Sequence, residues 1–274
     1  MGVSMTVSVL GMGAMGQALA AAFVRAGRPT VVWNRSAGKT EAVTGLGAVR
    51  AASVAEAVLA ADLIVVCVLD HAAVREVLEP VAAHLGGRVL LNVTNGTADQ
   101  AREVAAWAAG HGVSYLDGGI MAIPQTIGLP ASTILFSGSR EAYDRWADAL
   151  GAWGTGNFLG EEPGLAALHD LALLGAMYGM FAGAFHATAM VGTEGVPTGR
   201  FTTELLVPWL RSMVDVLPML VDAEVSAEQR LVEQAALANI VGTAAAQGVP
   251  GRMTAPIRAL LTDHDRDPDH ADFA

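Results

Sequence analysis

The segment Gly11-Met12-Gly13-Ala14-Met15-Gly16 has the spacing G-x-G-x-x-G, directly after the β-branched run Thr6–Leu10 and at the head of an alanine-rich stretch. Glycines so spaced in a strand-to-helix turn permit the tight bend, the close approach of a pyrophosphate and the packing of helix on strand. The helix N-terminus then faces the anion. The motif predicts a dinucleotide site built by Gly11, Met12, Gly13, Ala14 and Met15; an ordinary tight turn is the alternative. The next strand bears on which cofactor. Asn34 lies 18 residues past Gly16, about where NAD-binding chains carry an acid for the ribose 2′-hydroxyl. No acid stands there. Arg35, Ser36 and Lys39 instead offer two cations and a hydroxyl, which suit a 2′-phosphate and predict NADPH; a solvated polar loop is the bland alternative. Ligands of open α/β sheets gather at the carboxyl ends of strands. That rule adds Val68 and Leu69, Asn95-Gly96-Thr97, and Gly118-Gly119-Ile120-Met121-Ala122-Ile123-Pro124 to the candidates. Simple turn chemistry accounts for Gly96 equally well.

Asp170 is the candidate for proton chemistry. It stands beside His169 at the start of Leu171–Thr193, 23 residues without a formal charge. At 100° per residue, Met177, Phe181 and Phe185 fall within about 60° of it and Tyr178 at about 80°. Gly175, Gly179 and Gly183 line the opposite side. A carboxylate and a phenol, about 12 Å apart along the axis, thus share a face with bulky apolar groups. Carboxylates are rarely buried without a task or a partner, and desolvation should raise the pKa of this one. A charge that complements the helix N-terminus is the other explanation.

These residues need elements to position them. Strand-like runs at Thr6–Leu10, Thr30–Trp33, Leu63–Leu69, Val89–Val93, Val113–Leu116 and Thr133–Phe136 alternate with helical stretches such as Ala14–Ala26, Val54–Ala60 and Asp99–Ala109. Strand, helix, strand at this spacing predicts βαβ units and a parallel sheet with helices on both faces. Leu63–Leu69 is apolar throughout, as a strand covered on both sides would be. After Gly160 only helical patterns remain. Ser226-Ala227-Glu228-Gln229 opens a helix with a capping box and runs to about Gly248. Pro208 should kink or divide the helical stretch around it. The expected organisation is a dinucleotide-binding domain over 1–160 and a helical domain over 161–274.

Composition removes other classes. Of 274 residues 53% are apolar and 16% charged, so there is ample material for a core. The net charge of −11 argues against a nucleic-acid partner. The single cysteine, Cys67, excludes an internal disulfide and suits a reducing cytoplasm. No secretory signal is readable, and Met1-Gly2 with Thr6 fits a myristoylation pattern only formally. Leu171–Thr193 is long enough to cross a bilayer, and its glycines make GxxxGxxxG. Yet it lacks flanking cations and holds Tyr178 and His186, so a buried helix of a soluble protein is the better reading. The residues that follow are too few to cover it, and an intimate homodimer is expected. The tail Asp263–Asp272 sets His264 and His270 among five aspartates. It has no fixed metal-ligand spacing, so no metal is expected and a solvated end is the simpler account.

GMGAMG, WNRSAGK, NVTNGT and the run from Gly164 through HDLALL to Tyr178 together resemble the bacterial imine reductases, relatives of the β-hydroxyacid dehydrogenases. The resemblance implies an α/β fold: a Rossmann domain, one long interdomain helix, and an all-α C-terminal domain exchanged between the subunits of a dimer. It implies reduction of imines to amines, with Asp170 positioning or protonating the imine nitrogen, Tyr178 bonding near the substrate, and Asn95 beside the nicotinamide. Met121, Ile123, Met177, Trp209, Met213 and Asn239 would line the pocket. The hydroxyacid enzymes rely on a lysine at the start of the interdomain helix, and Lys39 is the only lysine in this chain. The end at Phe273-Ala274 comes earlier than the resemblance implies, which would leave a more open pocket. A hydroxyacid dehydrogenase with a different proton donor, or an NADPH-binding sensor without turnover, are the alternatives.

Overall fold

A computed structural model describes residues 5–221 and 226–264. The myristoylation pattern at Met1-Gly2 and all of the acidic tail past His264 lie outside them. The chain divides after Leu174 into two compact units.

In the first unit, β1 (Val7–Leu10), β2 (Thr30–Trp33), β3 (Val49–Arg50), β4 (Leu63–Val66), β5 (Val89–Asn92), β6 (Ser114–Met121), β7 (Thr133–Gly138) and β8 (Thr155–Gly160) form one sheet in the order β3-β2-β1-β4-β5-β6-β7-β8. Between them run α1 (Ala14–Arg25), α2 (Glu41–Thr44), α3 (Val54–Leu59), α4 (His71–Leu78), α5 (Ala98–Gly110) and α6 (Arg140–Leu150). β1 to β6 are parallel, so their carboxyl ends share one edge, and the strand order reverses between β1 and β4. Each face of the sheet carries its own core. Leu63 and Val65 point to one, Ile64 and Val66 to the other, and all four are fully buried. This is the two-sided covering expected of that strand.

The sheet departs from the all-parallel expectation at β7, which runs antiparallel to β6. A parallel crossover needs a dozen or more residues and usually a helix. The connection 122–132 holds only the 3-10 turn Pro124–Thr126, so the chain doubles back. β6 is also twice the length expected from Val113–Leu116. Its glycines are strand residues that let neighbours close in: a Cβ on Gly118 would sit 2.8 Å from Val93 Cγ1, and one on Gly119 2.9 Å from Asp170 Cβ. β4 stops at Val66, three residues early, and Val68 N–H turns to Thr94 Oγ1 at 3.1 Å. The edge strands β3 and β8 carry no alternating apolar pattern and were not anticipated.

α7 (Leu165–Thr193) starts in the first unit and continues into the second. Its first amide groups are received by the sheet. Ala166 N–H donates to Ser137 Oγ at 3.0 Å, and Ala167 N–H donates to Asp117 Oδ2 at 3.0 Å. Ser137 Oγ in turn donates to the Pro163 carbonyl at 2.8 Å.

The secondary-structure elements of the second unit, among its described residues, are all helices. The unit contains the rest of α7, then α8 (Thr198–Phe201), α9 (Val207–Val221), α10 (Ala227–Ala246) and α11 (Gly251–His264). α10 begins at the expected capping box, with Ser226 and Gln229 bonding reciprocally. The helical stretch around Pro208 is divided as expected: the π-helical turn Thr202–Leu206 separates α8 from α9, and Pro208 is the second residue of α9. α7 is long and apolar enough to cross a membrane by length and composition, and only 17% of its most apolar stretch is buried. Full burial within one chain is therefore not what occurs. A Cβ on Gly175, Gly179 or Gly183 would meet nothing within 4 Å.

Asp117 is the costly residue of this fold. Burial pushes its carboxyl up to about 7 from 3.8, the hydrogen bonds from Tyr115 and Ala167 oppose the shift, and the charges of Asp170 and Glu162 add to it. Between 3.8 and about 7 the folded chain holds a proton that the unfolded chain releases, so this group's contribution to stability falls as pH rises through that window and is level above it. Asp117→Asn cannot titrate. Its urea midpoint should therefore decline less than the parent's from the acid to the neutral end of that window. Parallel declines would mean that Asp117 is already ionised at the acid end.

Candidate active site

Three glycines of the first turn do three different jobs. Gly11 has φ +101°, and a Cβ there would lie 2.1 Å from the Cys67 carbonyl oxygen on the neighbouring strand's exit. A Cβ on Gly16 would lie 2.0 Å from the Gly11 oxygen, so α1 packs onto its own turn. Gly13 is exposed and its missing Cβ faces open space. Gly13 is also the N-cap of α1, offers no side-chain cap, and no acid follows in the first turn. An uncapped helix N-terminus beside open space at the β1/β4 reversal fits a pyrophosphate. Ala14 and Met15 border this opening, whereas Met12 is fully buried and offers no side chain to a ligand.

Asn34 replaces the expected acid with a structural amide. Its Oδ1 accepts the Met12 N–H at 2.9 Å and its Nδ2 donates to the Ser36 carbonyl at 2.9 Å, tying the glycine turn to the end of β2. Arg35, Ser36 and Lys39 stand exposed beyond it. Arg35 Nη1 is 3.2 Å from Glu76 Oε1 on α4. That pair is solvated and weak enough to yield to a better anion. Val68 is half-buried and Leu69 is 87% exposed, both on the loop that leaves β4 at the same edge.

The same edge holds Asn95 and Asp170. Asn95 Nδ2 donates to Asp170 Oδ2 at 2.7 Å. Asp170 is 7% exposed, with its Cβ against the backbone of Gly119. Burial raises its carboxyl above the usual range, and the Asn95 hydrogen bond partly opposes this. The direction is the one anticipated, but the named contacts are with β6 and the loop after β5. Asp170 is also the sixth residue of α7, and the first turn of that helix contains no acid. It is therefore not the charge that complements the helix end; Asp117 is placed for that role. The sequence pattern does not single out Asp117: it lies just past the expected end of the strand at Leu116, inside what proves to be one long strand.

Of the expected pocket residues, Met121 ends β6 half-buried and Ile123 is 60% exposed on the next loop. Met177, Tyr178, Trp209, Met213 and Asn239 belong to the second unit. There Tyr178 meets Phe181 edge-on at 6.4 Å between ring centroids. Trp209 on α9 is 61% exposed, Met213 half-buried, and Asn239 on α10 exposed.

Residues 6–160 match the family model described as the NAD binding domain of 6-phosphogluconate dehydrogenase. Residues 162–266 match the NADPH-dependent reductive aminase-like C-terminal domain. An NADPH-dependent reductive aminase of Aspergillus oryzae is 37% identical over 264 residues, which span 93% of this chain and 90% of that protein. Among solved structures, a reductive aminase of Aspergillus terreus in complex with NADPH and ethyl-5-oxohexanoate aligns with a TM-score of 0.88 and 38% identity, covering 96% of this chain and 94% of that one. An imine reductase of Streptomyces aurantiacus aligns with a TM-score of 0.87 and 29% identity over 95% and 93% of the two chains. With these matches spanning both halves of the sequence, the chain belongs to the family of NADPH-dependent reductive aminases and imine reductases.

Proposed function

We propose that this chain is a cytoplasmic, homodimeric enzyme that uses NADPH to reduce C=N bonds, cyclic imines among them, to amines. The observation that carries the reading is Asp170: a carboxylate buried on the sheet edge where β1, β4 and β5 end, held by Asn95 and set past the first turn of α7. When bound, the nicotinamide supplies the hydride. Gly11, Gly13, Ala14 and Met15, with the Met12 backbone and the loop residues Val68, Leu69 and Asn95, would hold the dinucleotide, while Asn34 shapes the loop from which Arg35, Ser36 and Lys39 take the 2′-phosphate. Asn95 occupies Asp170 Oδ2 and leaves Oδ1 for the substrate nitrogen. There the carboxyl delivers a proton to the imine or, ionised, holds an iminium. Lys39, the sole lysine, belongs to the exposed loop after β2, so an ammonium donor of the hydroxyacid kind has no source. Tyr178, Met121, Ile123, Met177, Trp209, Met213 and Asn239 are assigned to the substrate pocket, with the cofactor domain over 1–160 and the substrate and dimer domain over 161–274.

The dimer rests on the uncovered apolar surface of the second unit. Leu205, Trp209, Met219, Leu231 and Val232 are each more than 60% exposed, and the glycine stripe of α7 is open. Such a surface suits a second copy of the chain rather than lipid, since α7 has no cations at its ends.

Asp170→Asn should retain NADPH binding and lose about 10²-fold or more in kcat with a cyclic imine, the scale of one acid–base contribution. Turnover at the parent rate would reduce Asp170 to a structural carboxylate. Arg35→Asp should weaken NADPH binding by about 1.5–3 kcal/mol and spare NADH, the size of a charge-assisted hydrogen bond. Equal losses for the two cofactors would remove the phosphate assignment. Light scattering should give a dimeric mass, with an interface above about 2,000 Å². Gly179→Leu should dissociate it, because overpacking a close helix contact costs about 1–3 kcal/mol. A monomeric parent at micromolar concentration would overturn this part of the proposal.

A further inference from the structure

Asn95 holds one oxygen of Asp170, and the sheet under α7 sets where the carboxyl stands. Asp117 accepts two hydrogen bonds, from Tyr115 O–H to Oδ1 at 3.0 Å and from Ala167 N–H to Oδ2 at 3.0 Å. Ala167 precedes Asp170 by three residues, less than one helical turn. A helix is rigid over that distance, so a shift at the Ala167 amide moves Asp170 with it. Gly119 lies two residues beyond Asp117 on the same face of β6, and its bare Cα admits both Asp170 Cβ and the Ala166 carbonyl. Asp117 and Gly119 thereby fix the height and the depth of one turn of α7.

A second path runs through the loop after β5. A cavity of about 10 Å³ is lined by Asn92, Thr94, Asn95, Asp117, Ala167 and His71, among others. That is the room one water needs, and the lining offers it more than two polar partners. Asn92 Nδ2 also reaches Tyr115 Oη at 3.5 Å. Asn95, which donates to Asp170, and Asp117 thus line the same small cavity. We infer that Asp117 is a positioning residue for Asp170, acting through the first turn of α7 and through a water seated between it and Asn95.

The ionisable groups around Asp117 are few. Tyr115 faces it from β6, Asp170 and Glu162 act on it from α7 and the turn before it, and His71 of α4 shares the cavity, 3.2 Å from Glu103. Of these, Tyr115 holds the carboxyl down, while the acids push it up. A proton gained or lost by Asp117 changes what it can accept from Ala167 and from the cavity water. Its titration at about 7 therefore alters how firmly Asp170 is held.

The inference rests on Asp170 serving the imine nitrogen, and the experiment separates the two. The full-length parent, Asp117→Asn, Tyr115→Phe and Asp170→Asn are compared for NADPH affinity, KM and kcat with the cyclic imine 2-methyl-1-pyrroline, on both sides of neutral pH. Asp117→Asn should keep the NADPH affinity, lose roughly tenfold or more in kcat as a misplaced catalytic group does, and lose the inflection near 7 from its kcat profile. Tyr115→Phe keeps the carboxylate but removes the bond that lowers its pKa, so its inflection should move to higher pH, with a smaller loss of kcat. Asp117→Asn with the parent's kcat and pH profile, while Asp170→Asn is impaired, overturns the inference alone. Should Asp117→Asn fail to fold, an unmoved profile in Tyr115→Phe overturns it. Parent turnover by Asp170→Asn removes the underlying reading, and the inference with it.

Discussion

A helix that begins against a sheet brings four unpaired amide groups to a place where water cannot serve them all. At the start of α7 the sheet itself supplies the acceptors, Ser137 from β7 and Asp117 from β6. Much else depends on that arrangement. β6 must run on past Leu116 to bring its carboxylate alongside, Gly119 must stay bare for α7 to approach, and β7 must turn back to place Ser137. Asp170 then rests on the sheet wall because the turn beneath it has nowhere else to go.

The charges follow a second logic. The chain is acidic overall, yet its cations near the glycine turn, Arg35 and Lys39, are left in solvent with at most a solvated partner. Two acids, Asp117 and Asp170, are instead taken out of water within a few residues of each other's backbone. Each burial raises a proton affinity, so the interior of the edge favours holding protons while its rim favours anions. Such a division suits a site that binds a polyphosphate at one end and handles a basic nitrogen at the other.

The elements most legible in the sequence were those with one local cause. β1, α1 and β2 follow from β-branched runs around a glycine turn, and α10 from its capping box. Asp170 was legible because an acid in a long uncharged run asks for a reason. What escaped was set by tertiary contact. Gly118 and Gly119 look like a turn in isolation, and only the approach of Val93 and Asp170 explains them inside a strand. Asp117 was lost with them. Pro208 was legible as a division of its helical stretch, but nothing local signals that the division takes the form of a π-helical turn. Asn34 was legible as a residue of the cofactor edge, but not as the amide that joins the glycine turn to β2.

Cys67 lies where β4 ends, its carbonyl pressed toward Gly11 and its thiol pushed up to about 11 by burial. At neutral pH the thiol stays protonated. Alkylating agents act on the thiolate, so the chain's own thiol reacts slowly with them. A cysteine introduced anywhere on the surface would react far ahead of it, giving this protein a single addressable thiol without removal of the native one.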